Sequence, residues 1–198
     1  MNNLATLDHP VHSLIERRWS PYAFADKPVD PADLHSLLEA ARWAPSSFNE
    51  QPWRFIVATR DDPENFQRLL DCLVPGNRKW AGKVPVLMLS VAALSFAKNG
   101  KPNRHALHDV GLASATLALQ ATNIGLAVHF MAGFDGNKAR ESFAIPDAFE
   151  PTAAIAVGHH LTEPAGDGPS PRTRQPVEEF TYAGAWGSPA PYSTRSMA

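Results

Sequence analysis

The chain has 198 residues, of which 44% are hydrophobic and 19% are charged, a composition that is typical of one globular domain and excludes a chain disordered throughout. Its 18 Lys and Arg against 20 Asp and Glu give a formal net charge of −2, so no global positive field can hold nucleic acid or an anionic membrane. Cys72 is the only cysteine, which excludes an intramolecular disulfide and a zinc site with several cysteine ligands.

The N-terminal segment gives no sign of export. Residues 1–20 include Asp8, Glu16 and the pair Arg17–Arg18 and have no apolar core, so they do not resemble a signal peptide. The longest apolar run, residues 84–94, is too short to cross a bilayer. We therefore expect a cytoplasmic enzyme or binding protein that contacts neither nucleic acid nor membrane.

The first strongly marked helix is predicted over residues 30–45. Asp30 is a natural N-cap, Pro31 suits the first helical position, and Pro45 ends the pattern. Between them apolar residues recur at i, i+3, i+4 and i+7, namely Leu34, Leu37, Leu38 and Ala41. The same periodicity predicts a second helix after Asp62, with Phe66, Leu69, Leu70 and Leu73 on its apolar face.

Four short runs have the length and composition of strands: residues 54–59, 84–92, 126–131 and 152–160. The second of these is continuously apolar, which is typical of a strand buried on both faces. Together with the helices they predict an α+β or α/β fold in which helices cover a sheet.

Residues 108–125 predict a helix that ends before Gly125. Because it is apolar on nearly every side, we expect it to be central and buried all round, with another subunit as a candidate partner. After about Thr162 the composition turns to Pro, Gly and Ser. Four aromatic residues in that segment favour a tail that wraps around something over a disordered one: Phe180, Tyr182, Trp186 and Tyr192.

Residues 44–55, "APSSFNEQPWRF", join the first predicted helix to the first strand. Two prolines stiffen the segment, and its Ser, Asn and Gln side chains supply both donors and acceptors. Such a loop suits the edge of a flat heterocycle or a ribityl-type chain. A helix stop followed by Ser or Asx turns would also explain it.

Two short stretches carry arginines suited to a phosphate. Arg18 and Ser20 follow the first helical pattern, and Arg172 and Arg174 are spaced to point the same way from an extended segment. Three arginines around one dianionic phosphate are chemically sensible in a protein without overall positive charge. The alternative is that they are ordinary solvated surface arginines.

No dinucleotide fingerprint, phosphate-binding P-loop or nucleophile elbow is present in the sequence. His105, His108 and Asp109, with the pair His159–His160, are candidates for a metal site, although His-x-x-His alone is a weak signal. The alternative is that Asp109 caps the helix that follows and the histidines are polar surface or satisfied residues.

These stretches, in this order, resemble the FMN-dependent nitroreductase family over about residues 12–187. The specific element is "PSSFNEQPWRF"; the arginine–serine stretch, the helix beginning "HD", "MAGFD" at 131–135 and "RTRQP" near the C-terminus add to it. The resemblance implies an α+β domain over residues 1–187, with helices around a mixed, mostly antiparallel sheet, and a C-terminal tail over 188–198. It also implies an intertwined homodimer with two shared FMN sites.

The resemblance further implies a set of cofactor-binding residues: Arg18, Trp19, Ser20, Tyr22, Pro45, Ser46, Ser47, Asn49, Asn77, Ala132, Gly133, Arg172 and Arg174. The arginines and Ser20 would hold the phosphate, and the loop residues would come from the other subunit. Asn77 would touch the pyrimidine side of the ring, and the backbone of Ala132 and Gly133 would lie near flavin N5.

Two positions depart from the family pattern. Tyr22 stands where the family usually has Lys or Arg, a cation that favours the anionic reduced flavin. Lys79 is a candidate to compensate. Ala132 replaces an acidic residue of many members, but the contact expected there comes from the backbone.

The function implied is transfer of hydride from NADH or NADPH through flavin N5 to an electron-poor small molecule: a nitroaromatic, quinone, enone or free flavin. No protein acid or base is required, because the flavin carries the chemistry. Residues 93–107 are expected to form a lid on the acceptor side. Two alternatives stay open: a non-catalytic FMN-binding protein, and a metallohydrolase that uses His105, His108 and Asp109.

Overall fold

The computed structural model describes residues 4–161 and 172–191. Its helices are α1 (Ser13–Arg17), α2 (Pro31–Arg42), α3 (Pro63–Cys72), α4 (Pro75–Ala81), α5 (Ala106–Asn123) and α6 (Gly136–Ser142). Its strands are β1 (Trp53–Thr59), β2 (Val86–Ala93), β3 (Leu126–Met131) and β4 (Phe149–His159), and 3₁₀ turns lie at Ser47–Asn49 and Val177–Glu179. None of the helices in these ranges combines the length and apolar character needed to cross a membrane.

The four strands form one sheet in the order β1-β2-β4-β3. All three neighbouring pairs are antiparallel, so the predicted α+β class and the mostly antiparallel sheet are confirmed. The parallel pair that a mixed sheet requires is not among the strands of the described residues. The order places β1 and β3 at opposite edges, and this separation decides where the candidate site residues lie.

Helices cover both faces of the sheet because the central strands are apolar on both sides. In β2, Leu87 and Leu89 face a core formed with α3, α4 and α6, whereas Val86 and Met88 face a core formed with α2 and α5. All four side chains are at most 1% exposed. This alternation confirms the prediction that residues 84–92 form a strand buried on both faces.

The predicted helix boundaries follow from local caps. The Asp30 side chain accepts a hydrogen bond from the Ala32 N–H at 2.8 Å, and Pro31 occupies the first turn of α2. Asp62 caps α3 in the same way through the Asn65 N–H. Gly125 follows α5 with φ 80°, a left-handed conformation that glycine adopts at little cost.

Within one chain, helix α5 is covered on one side only, so its predicted burial on all sides would need the second subunit that the sequence analysis considered. Its inner face packs in the core, but Leu107 is 56% exposed, Gly111 and Ala115 are also exposed, and Leu112 and Leu119 are half-buried. The reason is that α2 and the sheet cover only one side of the helix. A continuous apolar stripe on α5 is therefore exposed in the single chain.

The C-terminal segment is described only in part. Phe180 and Trp186 are 58% and 91% exposed, so within one chain they are not packed in a core. Tyr192 and residues 162–171 lie outside the described residues. The wrapping of this segment and the division of the chain at residue 187 stay predictions.

Because the inner face of α3 is buried in the core, we expect substitutions on that face to lower the free energy of unfolding far more than substitutions on its exposed face. Leu69→Ala removes a side chain that is 0% exposed and should lower the free energy of unfolding by about 2–5 kcal/mol. Gln67→Ala, at an exposed position of the same helix, should change it by less than about 0.5 kcal/mol. Urea unfolding followed by circular dichroism measures both, and equal losses would contradict the assignment of the α3 inner face.

Candidate functional site

Three arginines from distant parts of the chain come together beside α1. The Arg18 guanidinium donates to Ser20 Oγ at 3.4 Å, and Arg172 Nη1 donates to the carbonyl of Glu16 in α1 at 2.7 Å. Burial lowers the pKa of Arg18, and the positive charges of Arg172 and Arg174 lower it further. The pKa of Arg172 is likewise lowered by burial and by Arg174. The structure thus brings together the arginines that the sequence analysis paired.

The cluster has the chemistry of an anion site. Guanidinium groups repel one another, and partial burial removes water that would otherwise screen them. An anion bound here would reduce this repulsion, and guanidinium donors match the oxygens of a phosphate especially well. Like-charged groups gathered in this way therefore indicate a binding site more strongly than single solvated arginines would.

A stacked aromatic pair borders the arginine cluster. Trp19 and His160 have ring centroids 5.6 Å apart at an interplanar angle of 15°. The pKa of His160 is lowered, first of all by burial. Its Nδ1 atom is buried and has no hydrogen-bond partner within the described residues. Buried polar atoms are normally satisfied, so this one is a candidate contact for a ligand. The sequence analysis assigned His160 only to a candidate metal set.

Tyr22 continues the site away from the arginines. Its ring packs against His129 of β3 and Trp80 of α4, with centroids 4.7 and 5.3 Å away. His129 Nδ1 donates to the carbonyl of Pro21 at 2.8 Å, and burial lowers the pKa of this imidazole. Tyr22, Trp80 and His129 therefore form an aromatic wall in which burial disfavours a charge on His129.

Asn77 and Gly133 form a small cradle beyond this wall. Asn77 Nδ2 and the Val74 N–H both donate to the Gly133 carbonyl, at 3.0 and 3.1 Å. A Cβ atom at Gly133 would lie 2.7 Å from Asn77 Nδ2 and 2.8 Å from Val74 Cγ2. Only glycine fits there without displacing a neighbour. Ala132, just before it, is exposed. The structure thus joins Asn77 to the Ala132–Gly133 turn, as the resemblance implies.

These residues follow the β3 edge of the sheet. Pro21 lies beside His129 in β3, and Gly133 comes two residues after β3 ends at Met131. We call this surface the β3 strip and define it by its residues: Arg18, Trp19, Ser20, Tyr22, Asn77, Ala132, Gly133, Arg172 and Arg174. It has cations at one end, an aromatic middle and exposed backbone at the other end.

The remaining predicted residues lie in the loop before β1. Pro45 and Asn49 are exposed, whereas Ser46 and Ser47 are half-buried. The Ser47 N–H donates to Asp109 Oδ2 at 2.9 Å, and Ser46 Oγ accepts from the Gln51 N–H at 3.1 Å. The prolines that the sequence analysis noted are thus only part of what holds the loop.

Asp109 is not the N-cap residue of α5, as the sequence analysis had suggested. His105 occupies the N-cap position of α5 and makes no side-chain capping bond. Asp109 lies within the first turns of α5, is 2% exposed, and holds Ser47 through its carboxylate. His108 Nδ1 lies 3.0 Å from the other carboxylate oxygen. The reason for the error is that a capping pattern in sequence does not reveal a partner far along the chain.

The loop and the β3 strip lie at opposite edges of the sheet. Strands β2 and β4 separate β1 from β3, and three inter-strand spacings amount to about 14 Å. Within the described residues, no hydrogen bond joins residues 45–49 to Arg18, Asn77 or Gly133. One chain therefore brings the predicted site residues together in two groups and not in one.

The candidate metal ligands do not assemble. His105 and His108 are at the start of α5, whereas His159 and His160 are at the end of β4. Within residues 4–161 and 172–191, no group of three or more His, Cys, Asp or Glu side chains is placed to hold a metal ion. Asp109 is occupied by Ser47 and His108. The structure gives the metallohydrolase hypothesis no site.

The α+β fold, the β3 strip and the loop at residues 45–49 can now be compared with known protein families. Residues 15–159 match the sequence model of the nitroreductase family. The chain belongs to that family.

Individual relatives agree with this assignment. A Streptomyces coelicolor protein, provisionally named NADH dehydrogenase/NAD(P)H nitroreductase, is 30% identical over 165 residues, which are 74% of this chain and 81% of the relative. The FMN reductase [NAD(P)H] of Bacillus subtilis is 26% identical over 77% of this chain and 66% of its own. A crystal structure described as an oxidoreductase containing FMN superposes with a TM-score of 0.84 at 33% identity, covering 95% of this chain and 98% of the other.

The Asp109–Ser47 contact generates the first site prediction. Asp109→Ala leaves the Ser47 N–H without its acceptor and should lower the free energy of unfolding by about 1–3 kcal/mol. Hydrogen exchange of the Ser47 amide should accelerate, because the loop loses its attachment to α5. Asp109→Asn keeps a carbonyl acceptor and should retain most of the protection. Unchanged exchange in the alanine variant would contradict the role given to this carboxylate.

The close packing around Gly133 generates the second site prediction. Gly133→Ala should destabilise the protein by about 1–3 kcal/mol, because the new methyl overlaps Asn77 and Val74. Combined with Asn77→Ala, the loss should be smaller than the sum by about 0.5 kcal/mol or more. Gly76→Ala is the matched control, since no atom lies within 4 Å of its added Cβ, and it should not destabilise. Strict additivity of the first pair in urea unfolding would be evidence against the cradle.

Proposed function

We propose that the protein is an FMN-dependent oxidoreductase that takes hydride from NADH or NADPH and reduces an electron-poor small molecule. The observation that carries this proposal is the convergence of Arg18, Arg172 and Arg174 at one end of a strip whose other end is the Asn77–Gly133 cradle. A ligand with a phosphate monoester at one end and a flat polar ring at the other would match the two ends of this strip. The FMN reductase and the FMN-containing oxidoreductase among the relatives support the same cofactor.

The residues present fit FMN by chemistry. The arginines and Ser20 would hold the phosphate, and their mutual repulsion gives an anion a reason to bind. The ring of His160 stacks on Trp19, the residue after Arg18, and its buried Nδ1 has no hydrogen-bond partner in the described residues. At the other end the Asn77 amide and the backbone of Ala132 and Gly133 would border the ring. The tight packing at Gly133 keeps that backbone in place.

We further propose that each site is completed by a second copy of the chain. The loop at residues 45–49 is at the wrong edge of the sheet to reach the β3 strip of its own chain. The exposed stripe of α5, with Leu107, Gly111 and Ala115 at intervals of four residues, offers small and apolar side chains for close contact with another helix. Because Asp109 joins the loop to α5, pairing through α5 would bring each loop towards the partner's strip.

FMN held in this site would supply the redox chemistry that links nicotinamide oxidation to reduction of the acceptor. The chain's own residues bind and orient. Arginine side chains fix the phosphate end, and the aromatic wall of Tyr22, Trp80 and His129 excludes water beside the ribityl chain. The loop before β1 has positive φ at Asn49 and Gln51. Nitroaromatics and quinones are the proposed acceptors because a site open to nicotinamide also admits flat rings.

A second candidate is an FMN-binding protein without turnover. It is favoured by Tyr22, which stands where a cation would stabilise an anionic reduced flavin, and by the burial that disfavours a charge on the adjacent His129. Purified protein that contains FMN and stays oxidised after anaerobic addition of NADH and NADPH would support this candidate. Loss of the absorbance near 450 nm would reject it.

The arginine cluster provides the test of the cofactor. Replacing Arg172 and Arg174 with Ala should raise the dissociation constant of FMN by about 100-fold or more, because hydrogen bonds to charged groups contribute about 1.5–3 kcal/mol each. Titration of apoprotein followed by flavin fluorescence measures this constant. Arg17→Ala, exposed and adjacent to Arg18, is the control and should bind FMN normally. Full FMN occupancy in the double variant would contradict the proposed phosphate site.

Inorganic phosphate offers a measurement that needs no flavin. It should raise the Tm of the wild-type apoprotein more than chloride at equal ionic strength, because a bound anion relieves the repulsion among the arginines. The double variant should lose this difference. Equal effects of the two salts on the wild type would reject the anion site.

A further inference from the structure

Phe48 has a conformation that the fold does not explain. Its φ and ψ are 55° and 22°, in the left-handed region, where a bulky side chain is a true outlier. Its side chain is 91% exposed in the single chain, so burial within its own chain does not compensate for the strain. Asn or Gly would occupy this position at lower energy. Strain retained at an exposed aromatic residue points to a role in binding.

The region predicted to be a lid forms a hairpin. The Asn103 N–H donates to the Leu94 carbonyl at 2.7 Å, and the Phe96 N–H donates to the Lys101 carbonyl at 2.8 Å. Ser95 and Pro102 form a bridge between these bonds. Gly100, with φ 68°, closes the turn. We call residues 94–103 the 94–103 hairpin.

The hairpin and the loop before β1 are connected in two places. The rings of Phe48 and Phe96 meet edge to face, with centroids 5.9 Å apart and an interplanar angle of 78°. The Ala97 N–H donates to Glu50 Oε1 at 2.6 Å. Because the strained loop is also held by Asp109 through Ser47, Phe48 projects from a fixed platform.

A cation lies on the same side of the hairpin as Phe96. Directly opposed residues of an antiparallel pair place their side chains on one face, and Lys101 is opposite Phe96. Residues 94–105 include Lys98, Lys101 and Arg104 and no Asp or Glu. The nearby Glu50 already accepts from the Ala97 N–H. Residues 94–105 therefore carry an aromatic ring and three cationic side chains, and the Glu50 carboxylate bonded to Ala97 offsets part of this positive charge.

The geometry points to Phe48, Phe96 and Lys101 as the surface that binds the electron acceptor and selects flat aromatic rings bearing an anionic substituent. This inference rests on the proposed function, because it takes the flanking residues Ser47 and Asn49 to border the cofactor. The Phe rings would contact the acceptor's ring, and Lys101 would attract its carboxylate. Exposed lysines are depleted in the cores of protein interfaces, which favours a small anionic ligand over the partner subunit as the occupant.

Three small ligands separate the two contributions. Benzoate is flat and anionic, benzyl alcohol is flat and uncharged, and cyclohexanecarboxylate is anionic without an aromatic ring. None is reduced by the enzyme, so dissociation constants can be measured with the oxidised holoprotein from changes in its flavin spectrum. The wild type should bind benzoate most tightly. Equal binding of benzoate and cyclohexanecarboxylate would overturn the selection for flat rings.

Single substitutions test which residue selects the aromatic ring and which selects the carboxylate. Phe48→Asn should raise the dissociation constants of benzoate and benzyl alcohol about three- to tenfold and leave that of cyclohexanecarboxylate nearly unchanged. Lys101→Gln should raise the dissociation constant of benzoate about two- to fivefold and leave the dissociation constant of benzyl alcohol unchanged. Lys27→Gln, an exposed lysine on the loop before α2, is the matched control. The KM for 4-nitrobenzoate should follow the benzoate constants, with kcat nearly constant.

A structural role for Phe48 would give a different result. If the ring serves acceptor binding, Phe48→Asn should leave the Tm of the apoprotein unchanged or up to about 3 °C higher, because Asn tolerates the left-handed conformation. A lower Tm, or a dimer that dissociates in size-exclusion chromatography, would assign Phe48 to folding or to the subunit interface and overturn the inference.

Failure of this inference is distinguishable from failure of the proposed function. Wild-type protein that holds no FMN, or is not reduced by NADH or NADPH, would reject the function itself. Holoprotein that is reduced normally but binds benzoate equally well in the wild type, Phe48→Asn and Lys101→Gln would reject the acceptor surface alone.

Discussion

The strand order is the constraint on which the rest of the site depends. With β2 and β4 between them, β1 and β3 are about 14 Å apart, and each edge carries one group of polar residues. The arginines, Tyr22, Asn77 and Gly133 follow the β3 edge, and the strained loop precedes β1. Within one chain the two groups lie at opposite edges of the sheet, and this separation is the reason for proposing that two copies of the chain pair to complete each site.

Each group is organised before any ligand binds, and each is unfavourable without one. Burial lowers the pKa of Arg18, and the positive charges of Arg172 and Arg174 lower it further. Phe48, Asn49 and Gln51 have positive φ within four residues, and a buried nitrogen of His160 lacks a partner within the described residues. Because these groups are already held in place, less reorganisation is needed when a ligand binds. The sheet and its two cores supply the stability that tolerates them.

Much of the fold could be predicted because its signals are local. Asp30 and Pro31 mark the start of α2, and the continuous apolar run of β2 indicates burial on both faces. The grouping of Arg18 with Arg172 and Arg174 was also predicted, from spacing and from the family resemblance. Contacts between residues far apart in sequence could not be predicted. Nothing in the sequence around Asp109 indicates that its carboxylate holds Ser47.

The predicted burial of α5 on all sides is not met within one chain, and it stays a prediction for an assembly. An apolar helix indicates that its surface is covered, but the sequence does not say whether the same chain covers it. The exposure of Leu107, Gly111 and Ala115 leaves one face for another partner. Backbone conformation at Phe48 was equally hidden, because Phe is among the last residues that a left-handed position would suggest.

Mixed dimers test the central claim most directly. One variant lacks the arginines (Arg172→Ala with Arg174→Ala), and the other has a disabled loop (Ser47→Pro with Asn49→Ala); neither alone should retain FMN. If each site takes its arginines from one copy and its loop from the other, a purified heterodimer of the two variants contains one intact site. It should bind one FMN per dimer with nearly wild-type affinity. If both groups act within one chain, every site in the heterodimer is defective, and no FMN binding would be recovered.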